Sequence, residues 1–173
     1  MNSKLKMINL FAGPGAGKST TAAGLFFLMK SAGYSVELIS ELAKEMTYEG
    51  HFGTMADQIF IFGEQQRRAR RLVGQVEYAI TDSPLLLSSL YNGDLSDTFD
   101  LLVKETFDSY SNLNFFIDRT KPYSKIGRSQ DEQAAKDLDR KLYSLLDSYS
   151  IDCLHIDGDI DAPQAILDCI EGN

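Results

Sequence analysis

A chain of 173 residues with 43% hydrophobic, 10% aromatic and 24% charged side chains is long enough to bury one sizeable core and too apolar to be disordered. No apolar run nears the ~20 residues that a membrane-spanning helix needs, so no membrane partner is expected. The balance of 17 lysines and arginines against 25 aspartates and glutamates gives a net charge of -8, which argues against tight non-specific binding to a polyphosphate backbone.

In chain order, KMINLF (6–11) is a short apolar run halted by AGPGAGKST, and reads as a buried strand. From Gly17 to Ala32 the residues Ala22, Leu25, Phe26, Met29 and Ala32 recur at helical spacing, with Gly33 where a C-cap glycine belongs. YSVELI (34–39) is the second predicted strand, after which Ser40 is expected to cap a short helix carrying Glu41 in its first turn. Thr54 and Asp57 form a capping-box pattern predicted to open a long helix, with Ile59, Phe62, Ala69 and Val73 on one face, ending at Gly74. VEYAIT (76–81) is the third strand, stopped by Asp82-Ser83-Pro84. Helices are predicted over 85–91 and, capped by Ser96, as far as Tyr110; LNFFI (113–117) is the fourth strand. A polar stretch from Asp118 to Asp131 reads as a lid-like loop, Ser129 and Glu132 as the start of a helix to Tyr149, IDCLHI (151–156) as the fifth strand, and Pro163 as the start of the last helix. Alternating strands and helices predict one domain over residues 1–173: a three-layer α/β P-loop fold with a five-stranded parallel sheet.

The chemistry is concentrated in Ala12-Gly13-Pro14-Gly15-Ala16-Gly17-Lys18-Ser19, the Walker A pattern with Ala for Gly at its first position. Gly13, Gly15 and Gly17 let backbone N–H groups turn inward around a phosphate. The helix that follows points its positive dipole end the same way. Lys18 can bridge β- and γ-phosphates, and Ser19, with Thr20 beside it, offers a hydroxyl to Mg²⁺. ATP and Mg²⁺ are therefore the expected cofactors. Asp82, at the tip of a strand, is the expected second magnesium contact. Glu41, ending another strand, is the candidate general base for an acceptor hydroxyl, with Glu45 one turn on as an alternative. Arg119, Lys121 and Arg128 cluster in the polar stretch after the fourth strand, where cations could close over a transferring phosphoryl group. Arg140 can pair with Asp137 or Asp139. Gln65, Gln66, Arg67, Arg68, Arg70 and Arg71 crowd one helix but cannot share one face; Gln65 and Arg68 are the subset that could read a base or an acceptor phosphate. His51 and His155 read as structural. Cys153 and Cys169 lie far apart without metal spacing and read as reduced, half-buried or buried thiols, so the cytoplasm is the expected compartment. MNSKLKMINLF is too short for a signal peptide and runs directly into the loop.

INLFAGPGAGKSTTAAGLF, ELAKEM, YAITDSPLLL and NFFIDRTKPYSKIGRSQ together resemble small bacteriophage P-loop kinases of the ribosylnicotinamide kinase-like and deoxynucleoside kinase-like branch. Within it the sequence is most similar to 5-hydroxymethyl-deoxyuridine DNA kinases, which phosphorylate the hydroxymethyl group of a modified pyrimidine in DNA. The resemblance implies ATP contacts at Gly13, Gly15, Gly17, Lys18, Ser19 and Thr20, carboxylates at Glu41 and Asp82, and lid cations at Arg119 and Arg128. It implies 5-hydroxymethyluracil in phage DNA as acceptor, and the host cytoplasm as location. Where the family carries a tyrosine after the glutamate, this chain has Leu42. Two other readings stay open: a kinase of a free nucleoside, nucleoside monophosphate or ribosylnicotinamide, and a P-loop ATPase or switch with water as its acceptor. Oligomeric state is left open, a dimer being one option.

Overall fold

The computed structural model describes residues 4–120 and 132–172. Five strands, β1 (Lys6–Phe11), β2 (Val36–Ile39), β3 (Tyr78–Thr81), β4 (Ser111–Asp118) and β5 (Leu154–Asp157), form one parallel sheet in the order β2-β3-β1-β4-β5. The helices are α1 (Lys18–Ser31), α2 (Leu42–Glu49), α3 (Phe52–Met55), α4 (Gln58–Arg70), α5 (Leu87–Leu90), α6 (Asp97–Asp108), α7 (Glu132–Ser148) and α8 (Ala162–Glu171).

Alternation along the strands makes the three layers. In β1, Met7 and Phe11 pack into one core with Phe62 of α4, Phe99 and Phe107 of α6 and Leu142 of α7, while Ile8 and Leu10 face the opposite core with Leu25 and Met29 of α1 and Ile166 of α8. A sheet buried on both faces explains why the strands read as continuous apolar runs. The strands run in one direction, β2 and β3 being added on one side of β1 and β4 and β5 on the other, which puts the C-terminal ends of β1, β2, β3 and β4 around one crevice, the ligand position typical of open parallel sheets.

One polar residue interrupts the central strand. Asn9 is 1% exposed. Its Nδ2 donates to Asn112 Oδ1 (2.9 Å) and Asn114 Oδ1 (3.0 Å), and more weakly to the Met7 carbonyl (3.3 Å). Asn9 stands directly opposite Asn114 in the β1–β4 register.

The predicted element order holds, and Gly33 does close α1: at φ 88° it lets Tyr34 N–H reach back to the Met29 carbonyl. Several boundaries move, each for a capping reason. That turn consumes Tyr34, so β2 begins at Val36. Thr54 lies inside the short α3; Asp57 itself caps α4, accepting from Phe60 N–H at 3.0 Å. With that phase the buried face of α4 is Phe62, Gln65 and Ala69, leaving Ile59 and Val73 exposed, and the helix stops at Arg70. Ser40 caps nothing: the N-cap position of α2 is Glu41, and Ser40 Oγ donates to Glu45 instead. Helix α6 ends at Asp108, since Ser109 and Tyr110 fold into a turn on Thr106 and Phe107. Ile151 N–H bonds back to Leu146, closing α7, which delays β5 to Leu154.

Candidate active site

Two positions explain the path of the loop between β1 and α1. Gly17 has φ 110°, a left-handed conformation that aims the first N–H groups of α1 back across the loop. Gly13 is a matter of space: a Cβ there would stand 2.5 Å from Asp139 Oδ1 and 2.9 Å from the Ala135 carbonyl. Position 12 meets no such demand as a glycine, and Ala12 fits it, 3% exposed in the core. Lys18 folds over the loop, Nζ donating to the carbonyls of Ala12 (2.7 Å) and Gly13 (3.2 Å). Burial lowers the Lys18 pKa, opposed by the carboxylates of Glu41, Asp82 and Asp139 around it. Ala16 is buried, whereas Ser19 and Thr20 are exposed in the first turn of α1.

Ser19, Glu41 and Asp82 line one open cleft of about 250 Å³, together with Lys44, Glu45 and Tyr48 of α2. Burial, reinforced by Asp82 and opposed by Lys18, pushes the Glu41 carboxyl above its usual range. Asp82 is 6% exposed, and its Oδ1 has no hydrogen-bond partner among the described residues. A buried carboxylate oxygen without a donor carries a desolvation cost that an incoming cation would relieve. This donor set fits magnesium, which takes one or two protein oxygens and fills the rest of its octahedron with phosphate and water.

The remaining predicted residues fall into place unevenly. Arg119, one residue beyond β4, is fixed against the loop: Nη1 donates to the Pro14 carbonyl (2.9 Å) and Nη2 to Asp139 Oδ2 (3.0 Å). Just before it, Asp118 accepts from Tyr143 (3.1 Å) and lies 2.9 Å from His155 Nδ1. The rings of Tyr143, Phe116 and His155 form one three-way cluster (Phe116–Tyr143 4.1 Å, Phe116–His155 5.5 Å, Tyr143–His155 5.8 Å), so that histidine is part of the packing that anchors α7. Lys121 and Arg128, with most of the lid-like loop, lie outside the described residues. Arg140 pairs with Asp137, which leaves Asp139 for the loop.

On α4, Gln65 is 5% exposed beneath the strand ends, its Nε2 3.5 Å from the Ser40 carbonyl. Arg68 makes a two-pronged ion pair with Glu45 (2.7 and 2.9 Å) and also donates to the Ser40 carbonyl (3.3 Å). That arginine, then Ser40, holds Glu45 at a pKa of about 2, so Glu45 is an anchored anion and a poor proton acceptor. Arg67 pairs with Glu64; Arg70 ends α4 and Arg71 opens the turn that returns the chain to the N-terminal edge of the sheet, both exposed and away from the cleft. Both cysteines are half-buried.

Two residues escaped the sequence reading. Asp139 reaches Gly13 across 126 positions of chain, and only the three-dimensional docking of α7 brings them together. Tyr91, capping the end of α5, lies within electrostatic reach of the site: desolvation, then the carboxylates of Glu41 and Asp139, push its hydroxyl above the ordinary phenol range. Neither carries a local motif.

No helix among the described residues is long and apolar enough to cross a membrane. No curated protein matches the sequence. Among solved structures, the fold is similar to a deoxyadenosine kinase from M. mycoides determined with the products dCMP and a flexible dCDP. That match has a TM-score of 0.55 and 17% identity, and covers 96% of this chain and 100% of the other. It shows a deoxynucleoside kinase-like P-loop fold. A family model described as an AAA domain matches residues 7–162, and the chain belongs to that AAA-domain family.

Proposed function

We propose that this protein is an ATP- and Mg²⁺-dependent phosphotransferase that moves the terminal phosphoryl group onto a hydroxyl of a nucleotide-type acceptor. The observation that carries the reading is the buried Asp82 oxygen without a partner, in the same open cleft as Ser19 and Glu41 and within electrostatic reach of Lys18. Ser19 and Asp82 would hold the metal, which supplies charge neutralisation between the phosphates when bound. Lys18 would release the loop carbonyls and turn to the β- and γ-phosphates. Glu41, with its raised pKa, takes the proton of the acceptor hydroxyl as the new O–P bond forms and the bond to the β,γ-bridging oxygen breaks, leaving ADP. Arg119 stabilises charge on the transferring group from the rim of the loop.

The acceptor's body is constrained by the rim. A DNA duplex needs basic edges, and among the described residues the cleft is lined by Glu41, Glu45 and Asp82 against the single cation Lys44. Arg68 is committed to Glu45, and Arg70 and Arg71 point elsewhere. These charges favour a small nucleoside or nucleotide over 5-hydroxymethyluracil in DNA, which would use the same catalytic residues. The decisive assay is transfer from γ-labelled ATP to a panel of free deoxynucleosides, deoxynucleoside monophosphates, ribosylnicotinamide, and DNA with and without 5-hydroxymethyluracil. Label on a free nucleoside or nucleotide is the expected result. Label only on hydroxymethylated DNA moves the acceptor to the phage-modification reading; release of inorganic phosphate alone overturns the kinase in favour of an ATPase.

A further inference from the structure

Helix α7 places one carboxylate on the nucleotide loop, and no motif predicts it. Asp139 Oδ1 accepts the Gly13 N–H at 2.5 Å, and Oδ2 accepts from Arg119 Nη2 at 3.0 Å. Arg119 Nη1 closes the ring on the Pro14 carbonyl at 2.9 Å. The side chains of Asp139 and Arg119 are only 18% and 12% exposed, so water screens the pair weakly. Glycine at position 13 is what allows this approach, because a Cβ would occupy the space of the carboxylate and of the Ala135 carbonyl. Loop, strand end and helix are thus joined by one side chain, whose two oxygens do separate jobs.

We propose that Asp139 is a positioning residue for phosphoryl transfer: it orients the planar fork of Arg119 at the mouth of the loop while fixing the first turn of the loop through Gly13. This rests on the phosphotransferase reading and extends it to a residue that touches neither ATP nor acceptor. A two-point grip suits an arginine better than a lysine, since the guanidinium presents paired donors in one plane. Holding that plane in advance removes the cost of ordering a long side chain when charge develops on the phosphoryl group.

The substitution Asp139→Asn separates the two jobs. Its amide oxygen can still accept from Gly13, but its NH₂ group then meets a donor of Arg119. Turnover is read as ADP formation in the presence of the pooled acceptor panel, so the individual acceptor need not be known, and nucleotide affinity is measured beside it with a fluorescent ATP analogue. The expected result is a fall of about tenfold in kcat for Asp139→Asn, with KM for ATP and the thermal midpoint near those of the parent protein. In an Arg119→Ala background the same change should add less than about twofold, because the partner is already gone. Asp139→Glu should recover part of the loss by restoring an acceptor for the arginine. Losses that multiply in the double variant, or a kcat unchanged in Asp139→Asn, overturn the proposal. If the parent protein forms no ADP with any acceptor of the panel, the phosphotransferase reading falls by itself. The same cycle on analogue affinity then decides the pairing: coupling between 139 and 119 supports it, and additivity overturns it.

Discussion

On the donor side of the cleft, groups that would meet ATP are held by strand ends and by short bonds that tie distant parts of the chain together, as Asp139 ties Gly13 to Arg119. On the side proposed for the acceptor, α2 and α3 are short, Tyr48 is 76% exposed, and Ile59 and Phe60 at the start of α4 are 61% and 43% exposed. The polar bonds there start from side chains: Arg68 to Glu45, Ser40 to Glu45, Gln65 weakly to the Ser40 carbonyl. The contrast shows where rigidity is placed. Phosphate geometry is the same for every substrate and can be fixed in backbone, whereas the acceptor side carries few buried contacts and has freedom to move.

The comparison can be broken in four ways, and the largest effect belongs to the donor side. Lys18→Ala should lower transfer by roughly 10³-fold or more with the fold intact by circular dichroism; near-parent transfer in that variant would falsify the assigned phosphate cradle. Glu41→Gln should cost about 10²-fold in kcat while ATP affinity changes little. Its pH dependence carries a sign. Because burial raises the Glu41 pKa, the base is lost to protonation at a higher pH than an ordinary carboxylate, so kcat/KM should fall on the acid side early, and Glu41→Gln should abolish that limb. A profile with the same limb in the variant assigns the titration to another group.

Tyr48→Ala tests the acceptor side alone: KM for the acceptor should rise about threefold to tenfold, and KM for ATP should stay put. Equal changes in both would mean that the two halves are not separately built. The smallest effect is on stability. Glu45 titrates near pH 2 in the folded protein because Arg68, then Ser40, favours its charged form. Its folded pKa lies below the unfolded value near ~4.3, so its contribution is present above that pH and is lost as pH falls toward 2. Thermal midpoints measured across that window should decline less steeply in Arg68→Met than in the parent, and identical slopes would count against the ion pair.

The legible part of the molecule was the part governed by local rules. The nucleotide loop needs only neighbouring residues to bend its backbone, and the buried parallel strands announce themselves as apolar runs, so order and fold class followed from residues such as Ile8, Leu10 and Ile80. Boundaries slipped where one competing bond decides. Thr54 and Asp57 both suit a helix start, and the carboxylate of Asp57 took the Phe60 N–H. Ile151 has strand-forming chemistry, but its N–H is spent on the end of α7. In the site, Glu41 and Asp82 were readable because they stand at strand tips. Asp139 and Tyr91 were not, since their positions depend on how α7 and α5 dock. Arg68 reads in the sequence as a residue that could meet a base or an acceptor phosphate, and its ion pair with Glu45, 23 residues away, has no local signal there.

The three asparagines in the sheet bear on how the chain assembles. Strands β1 and β4 are neighbours in space but separated by most of the chain, and non-adjacent parallel strands must search for one another through slow loop closure. Apolar runs alone would allow β1 to settle against β4 in several alignments of similar energy. Shifted by one residue, Asn9 would turn into the layer of Leu25 and Met29, and its amide would lose both partners, at a cost of about 1–3 kcal/mol. Asn9, Asn112 and Asn114 therefore act as a proofreading element for folding, raising the energy of misaligned sheets before the crevice between the strand ends has formed.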